Sequence, residues 1–169
     1  NDHFVEIAYY IFENPDGMLI DETGVITWVP GIAQIDTQQF LVKVNHGIAV
    51  DSQRVKIFVN HPPVVEAAPL KMNVINLGEE YRFQLNVSDP NINDDLIFVA
   101  HEMPAGMRMD PYSGMIVWEP TRENIDFSHL MIEIGDGRTT RIIKADYFVN
   151  APINIVSIPP MRGTVGQAY

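Results

Sequence analysis

Pro104-Ala105-Gly106-Met107, then Gly114-Met115-Ile116-Val117-Trp118-Glu119-Pro120, then Phe148-Val149-Asn150 decide the fold, because the chain carries almost the same text about 90 residues earlier. The earlier copy reads Pro15-Asp16-Gly17-Met18, Gly24-Val25-Ile26-Thr27-Trp28-Val29-Pro30 and Phe58-Val59-Asn60. The three matches come in the same order, with a single-residue slip between the Gly17/Gly106 and Gly24/Gly114 positions. Pro62-Pro63 is echoed by Pro152-Ile153, and Gly78-Glu79-Glu80-Tyr81 by Gly166-Gln167-Ala168-Tyr169. The expected organisation is therefore an incomplete first repeat over 1–60 that lacks its opening strands, a complete repeat over 61–150, and the opening strand of a third over 151–169.

Period-two alternation marks strands. Tyr81-Arg82-Phe83-Gln84-Leu85-Asn86-Val87 alternates apolar with polar, as does a strand buried on one face. Phe40–Val44 and Leu130–Ile134 occupy matching places in the two copies, and Val55–Val59 and Ile142–Val149 close them. Asp21-Glu22-Thr23-Gly24, Asp110-Pro111-Tyr112-Ser113-Gly114 and Gly135-Asp136-Gly137 are turn signals between strands. Gly24 and Gly114 sit where a short hairpin needs positive φ. Thr121-Arg122-Glu123-Asn124-Ile125 reads as a capped turn, and no amphipathic helix is expected. Short strands, frequent turns and repetition predict an all-β chain of antiparallel sandwiches in series.

Trp28 and Trp118 each follow an isoleucine two residues earlier, Ile26 and Ile116, so each pair shares one sheet face. All four are expected in the core, with Met107, Met109, Met115 and Met131 as filler. An indole on a sheet face could instead be a platform for a sugar ring.

Composition excludes several classes. The net charge of −11 and the pI near 4.7 leave no basic surface for nucleic acid or for an anionic membrane. No apolar run approaches the roughly 20 residues of a membrane-spanning helix. With no cysteine there is neither a disulfide framework nor a thiol nucleophile. The five histidines (His3, His46, His61, His101 and His129) show no metal-hydrolase spacing, and Ser113-Gly114 lacks the nucleophile elbow. No enzymatic role is expected.

The run from Ser88 to Thr121, with Ser88-Asp89-Pro90, Pro104-Ala105-Gly106-Met107 and Gly114–Pro120 at these spacings, resembles the Ig-like domains of bacterial surface proteins. Those are relatives of cadherin and of the dystroglycan-type cadherin-like module. The resemblance covers 61–150 well and 5–60 more loosely. It implies a seven-stranded Greek-key β-sandwich used as a non-catalytic extracellular, cell-surface or periplasmic spacer or adhesion module. Its partners would be other modules of the same protein and, beyond them, a cell-surface protein or polysaccharide.

The resemblance also raises calcium. The loop Asp89-Pro90-Asn91-Ile92-Asn93-Asp94-Asp95 and the Asp136 turn match the family's acidic sites, so Asp89, Asn91, Asn93, Asp95 and Asp136 are the candidate ligands. Against it, the linker Asn60-His61-Pro62-Pro63 lacks acidic ligands, Asn73 stands near the family's glutamate, and the first copy's turn is Asn45-His46-Gly47. The alternative is a solvated turn whose side chains hydrogen-bond their own backbone. Two other functional readings stay open: a carbohydrate- or ligand-binding sandwich using Tyr9, Tyr10 or Tyr112, and assembly by strand donation through 151–169. The prolines at the two linkers restrict φ and would limit bending.

Overall fold

The alternating segments form strands because each has one apolar face to bury and a neighbour to complete its backbone hydrogen bonds. A computed structural model describes residues 7–67, 73–153, 163 and 165–166. Within the first copy β1 (Ala8–Phe12), β4 (Asp36–His46) and β5 (Ala49–Val59) form one antiparallel sheet in the order β1-β4-β5, while β2 (Leu19–Ile20) pairs with β3 (Ile26–Thr27). The second copy contains β6 (Val64–Ala67), β7 (Asn73–Asn76), β8 (Tyr81–Gln84), β9 (Asn86–Ser88), β10 (Ile97–Glu102), β11 (Arg108–Met109), β12 (Met115–Trp118), β13 (Asp126–Gly135) and β14 (Thr140–Asn150).

Its larger sheet runs β10-β13-β14-β7, with β7 parallel to β14 and the other pairings antiparallel. Facing it are β11-β12-β8 and the β6-β9 pair, with Leu85 alone separating β8 from β9. The chain changes sheets between β6, which pairs with β9, and β7, which pairs with β14, so that this segment contributes to both sheets. The molecule is all-β, and the only helical pieces among the described residues are 3-10 turns at Ile32–Gln34 and Arg122–Asn124.

The core lies between the two sheets of the second copy. Twelve buried apolar side chains form it, with Ile116, Trp118, Ile132, Ile134 and Tyr147 fully enclosed. Tyr147 meets Trp118 edge-on at 5.9 Å and Tyr81 at 6.0 Å. Among the described residues of the first copy, only Met18 and Phe40 are buried apolar residues. Trp28 and Ile26, expected in the core, are half-buried, and among the described residues β3 has no neighbour corresponding to β8. Met115, expected as filler, is exposed. It alternates outward from Ile116 on the same strand, whereas Met107 is buried.

Local devices recur in both copies. Trp118 Nε1 donates to the Ala105 carbonyl and Trp28 Nε1 to the Asp16 carbonyl, the residue before glycine in each Pro-x-Gly-Met turn. Those carbonyls also accept from Asn124 Nδ2 and Gln34 Nε2. Gly114 (φ +70°) lies under the Phe98 ring and Gly24 (φ +86°) under the Tyr9 ring, so close that a Cβ would overlap either ring. The expected opening strand over 151–169 falls largely outside the described residues.

Candidate functional site

The sites expected from the acidic loops meet at one place, the junction between the end of β5 and the second copy. Asp136 caps the β13–β14 turn, where Gly137 takes φ +82°. Its Oδ1 accepts the N–H groups of Arg138 (2.7 Å) and Thr139 (2.5 Å). Its Oδ2 accepts from the Thr139 hydroxyl (2.8 Å) and from Asn60 Nδ2 (2.8 Å). Burial alone would raise the pKa of this carboxyl. The donors of Thr139, Asn60 and Arg138 outweigh burial and hold it far below the ordinary carboxylate range. Asn60 is the residue after β5, so this turn grips the linker directly.

Asn91 is the second grip, and it is 1% exposed. Asp89 Oδ1 accepts the Asn91 N–H at 2.8 Å, an Asx turn that sets the loop. The Asn91 side chain then reaches across the junction. Its Oδ1 accepts the His61 N–H (2.7 Å), and its Nδ2 donates to Asp36 Oδ1 (2.8 Å) and the Val59 carbonyl (3.1 Å). One side chain thereby ties the start of β4, the end of β5 and the linker to the second copy. Asp36 adopts φ +69°, a conformation that short Asp side chains tolerate better than most.

A third tie is ionic. Arg138 Nη1 lies 2.6 Å from Asp94 Oδ2, and its guanidinium sits 4.1 Å above the Phe58 ring at the end of β5. Burial raises the Asp89 pKa against the Asn91 N–H that lowers it, and the nearby Asp136 and Asp94 charges add to the rise. Asp89 Oδ2 and Asn60 Oδ1 are buried acceptors without a hydrogen-bond donor.

Of the five expected ligands, Asp89, Asn91 and Asp136 come together at this junction. Asn93 and Asp95 are exposed and take no part in these ties. Sequence reasoning did not reach Asp36 or Arg138, and it read Phe58 only as part of a repeated strand end. The signal for Asp36 was its place after the 3-10 turn, matched in the second copy by Asp126, which also has positive φ (+82°). Of the aromatics considered for a ligand, Tyr9 covers Gly24 and Tyr112 is 77% exposed. Tyr10 instead stacks with Phe12, centroids 6.3 Å apart and planes 26° from parallel, and both rings are 45% exposed.

No protein-family model matches the chain, and the search of curated proteins finds no match. Among solved structures, extracellular cadherin domains 1–4 of protocadherin gamma B7 align over 85% of this chain and 41% of that one, at 17% identity and TM-score 0.50. The fold is a cadherin-like β-sandwich. Drosophila N-cadherin EC1-4 aligns over 89% of this chain and 43% of its own, at 19% identity and TM-score 0.49. An endo-fucoidan hydrolase of glycoside hydrolase family 107 aligns over 88% of this chain at 15% identity and TM-score 0.47, and the chain spans 24% of that hydrolase.

The ion that a cadherin-like junction implies is calcium, which takes six to eight oxygen ligands in about the 2.3–2.6 Å range. Here the Asp136 oxygens already accept four donors, Asp94 is paired with Arg138, and Asn91 turns its NH₂ rather than its oxygen toward Asp36. Among the described residues no three His, Cys, Asp or Glu side chains are grouped to hold a metal. Among the described residues, Asp89 Oδ2 and Asn60 Oδ1 are the buried side-chain oxygens at the junction without a donor, and two such oxygens fall short of the ion's ligand number. The residues in this arrangement do not fit it.

Proposed function

We propose that the chain is a non-catalytic stretch of an extracellular, cell-surface or periplasmic spacer or adhesion protein built from cadherin-like modules in series. Residues 1–60 would be an incomplete module, 61–150 a complete one, and 151–169 the opening strand of the next. The observation that carries this reading is the junction itself. Asn91, Asp136 and Arg138 of one copy hold Asp36, Phe58, Val59, Asn60 and His61 of the other or of the linker, as a rod that must resist bending requires. Its partners would be neighbouring modules and, at the end of the array, a cell-surface protein or polysaccharide. Small-angle X-ray scattering of the whole chain tests it. A profile fitted by one fixed arrangement of the two copies supports a spacer, and a profile that requires an ensemble of relative orientations sinks it.

A second reading, a carbohydrate-binding sandwich, is favoured by one observation. The Tyr10–Phe12 pair presents two nearly parallel, half-exposed rings on the outer face of β1, where a pyranose could stack. Affinity electrophoresis in neutral and acidic polysaccharides tests it. Retardation that disappears in a Tyr10→Ala, Phe12→Ala double variant would establish that surface as a sugar platform, and unchanged mobility in every polysaccharide would remove it.

A further inference from the structure

Four carboxylates, those of Asp36, Asp89, Asp94 and Asp136, each take part in a tie at the junction, and negative charge held there requires compensation. For Asp36, Asp94 and Asp136 the compensation is already present as N–H and hydroxyl groups, while Asp89 takes the Asn91 N–H at Oδ1 and has no donor at Oδ2. Asp94 has the Arg138 guanidinium at 2.6 Å. Asp36 has Asn91 Nδ2, and Asp136 has Asn60 Nδ2 with two backbone amides and a hydroxyl.

Both amide orientations are fixed by their partners. Asn91 Oδ1 receives a backbone N–H from His61, so its NH₂ must be the end that faces Asp36 and the Val59 carbonyl. Asn60 faces a carboxylate oxygen and a hydroxyl, and turning it over would set oxygen against oxygen. An aspartate at 91 would keep the His61 N–H but turn its second oxygen toward Asp36 and the Val59 carbonyl, and an aspartate at 60 would turn one toward Asp136. Asparagine instead delivers two N–H bonds where a cation would otherwise have to neutralise the oxygens.

We propose that the junction between the two copies is held without a metal ion, the Asn91 and Asn60 amides and the Arg138 guanidinium taking the cation's place. This rests on reading the copies as linked modules, and it makes the stiffness of the link independent of calcium.

The test uses the full chain, with calcium itself as the probe. Thermal unfolding and amide hydrogen exchange at His61 are measured in ~10 mM calcium and in excess chelator, because extracellular sites of about 10⁻⁴–10⁻³ M affinity would be nearly filled at that concentration. The expected result is the same midpoint and the same His61 exchange rate in both. A midpoint several degrees higher in calcium, or slower His61 exchange, overturns the proposal. Asn91→Ala, in chelator, removes the acceptor of the His61 N–H and should exchange at His61 about tenfold faster or more, the cost of that lost buried hydrogen bond. An unchanged rate overturns the role given to Asn91. If that variant does not fold, the wild-type titration still decides. A flexible scattering profile with no calcium response defeats the spacer reading alone, whereas a calcium response in a rigid chain defeats this inference alone.

Discussion

The two copies share their turns and differ in their cores. Each has a Trp N–H bound to the carbonyl of a Pro-x-Gly-Met turn, a positive-φ glycine under an aromatic ring, and an Asp that caps the following hairpin. In the second copy these devices enclose a core in which Trp118 and Ile116 are wholly buried, while in the first Trp28 and Ile26 remain half-buried. The difference is traceable to one segment. Residues 64–88 supply β6, β7, β8 and β9, so that β12 gains β8 as a neighbour and β14 gains β7. Among the described residues the first copy has no such strands, and β3 and β5 have no such neighbours. Local turn chemistry is therefore independent of the sandwich, and burial is not.

The largest expected effect breaks the symmetry between the tryptophans. Trp118→Ala should destabilise the second copy by about 3–5 kcal/mol, the cost of a large cavity in a core that cannot collapse, and Trp28→Ala should cost less than half as much. Chemical denaturation of the full chain, followed through the remaining Trp, checks both. Equal losses would mean that the two copies are equally closed.

The junction acids should move in opposite directions. Asp136→Asn should cost about 1.5–3 kcal/mol at neutral pH, as expected for hydrogen bonds to a buried charge. Asp136 has a folded-state pKa below its unfolded value. Its contribution is therefore full above the unfolded carboxylate range and fades as pH falls through it toward the folded value, and the gap between variant and wild type should narrow in acid. Asp89 is shifted the other way, so ionising it weakens the fold above its unfolded pKa. Asp89→Asn should be at least as stable as wild type at neutral pH, and the advantage should vanish in acid. Denaturation midpoints at several pH values read both signs.

Gly114→Ala should cost about 1–2 kcal/mol, because it strains a positive-φ turn and drives a methyl into Phe98. Gly24→Ala should cost less, since Tyr9 is only half-buried and its ring can swing outward. The smallest effect is shared: Asp110→Ala and Asp21→Ala remove equivalent exposed caps, and thermal scans should show small shifts of similar size.

The shared devices were legible in the sequence because each is local. Gly114 sits four residues from Asp110, and period-two alternation marks β4, β5, β13 and β14 without reference to anything distant. The all-β class followed from the same signals. The half-burial of Trp28 was less legible, since its motif is the same as that of Trp118 and only the tertiary arrangement separates them. The junction was legible in part. Asp89, Asn91 and Asp136 stood out as an acidic loop and turn, but the partners of Asn91 lie 30, 32 and 55 residues away. No spacing rule relates Asn91 to Asp36, and side-chain type alone does not reveal that the Asn91 NH₂ faces a carboxylate.

Native-state hydrogen exchange on the full chain tests most directly whether only the second copy closes a core. The account predicts that Leu130–Ile134 of β13 and the facing residues of β14 exchange through the largest opening in the molecule. Phe40–Val44 of β4 should exchange through a smaller and separate one. Equal protection of the two segments, lost together in a single transition, would contradict it.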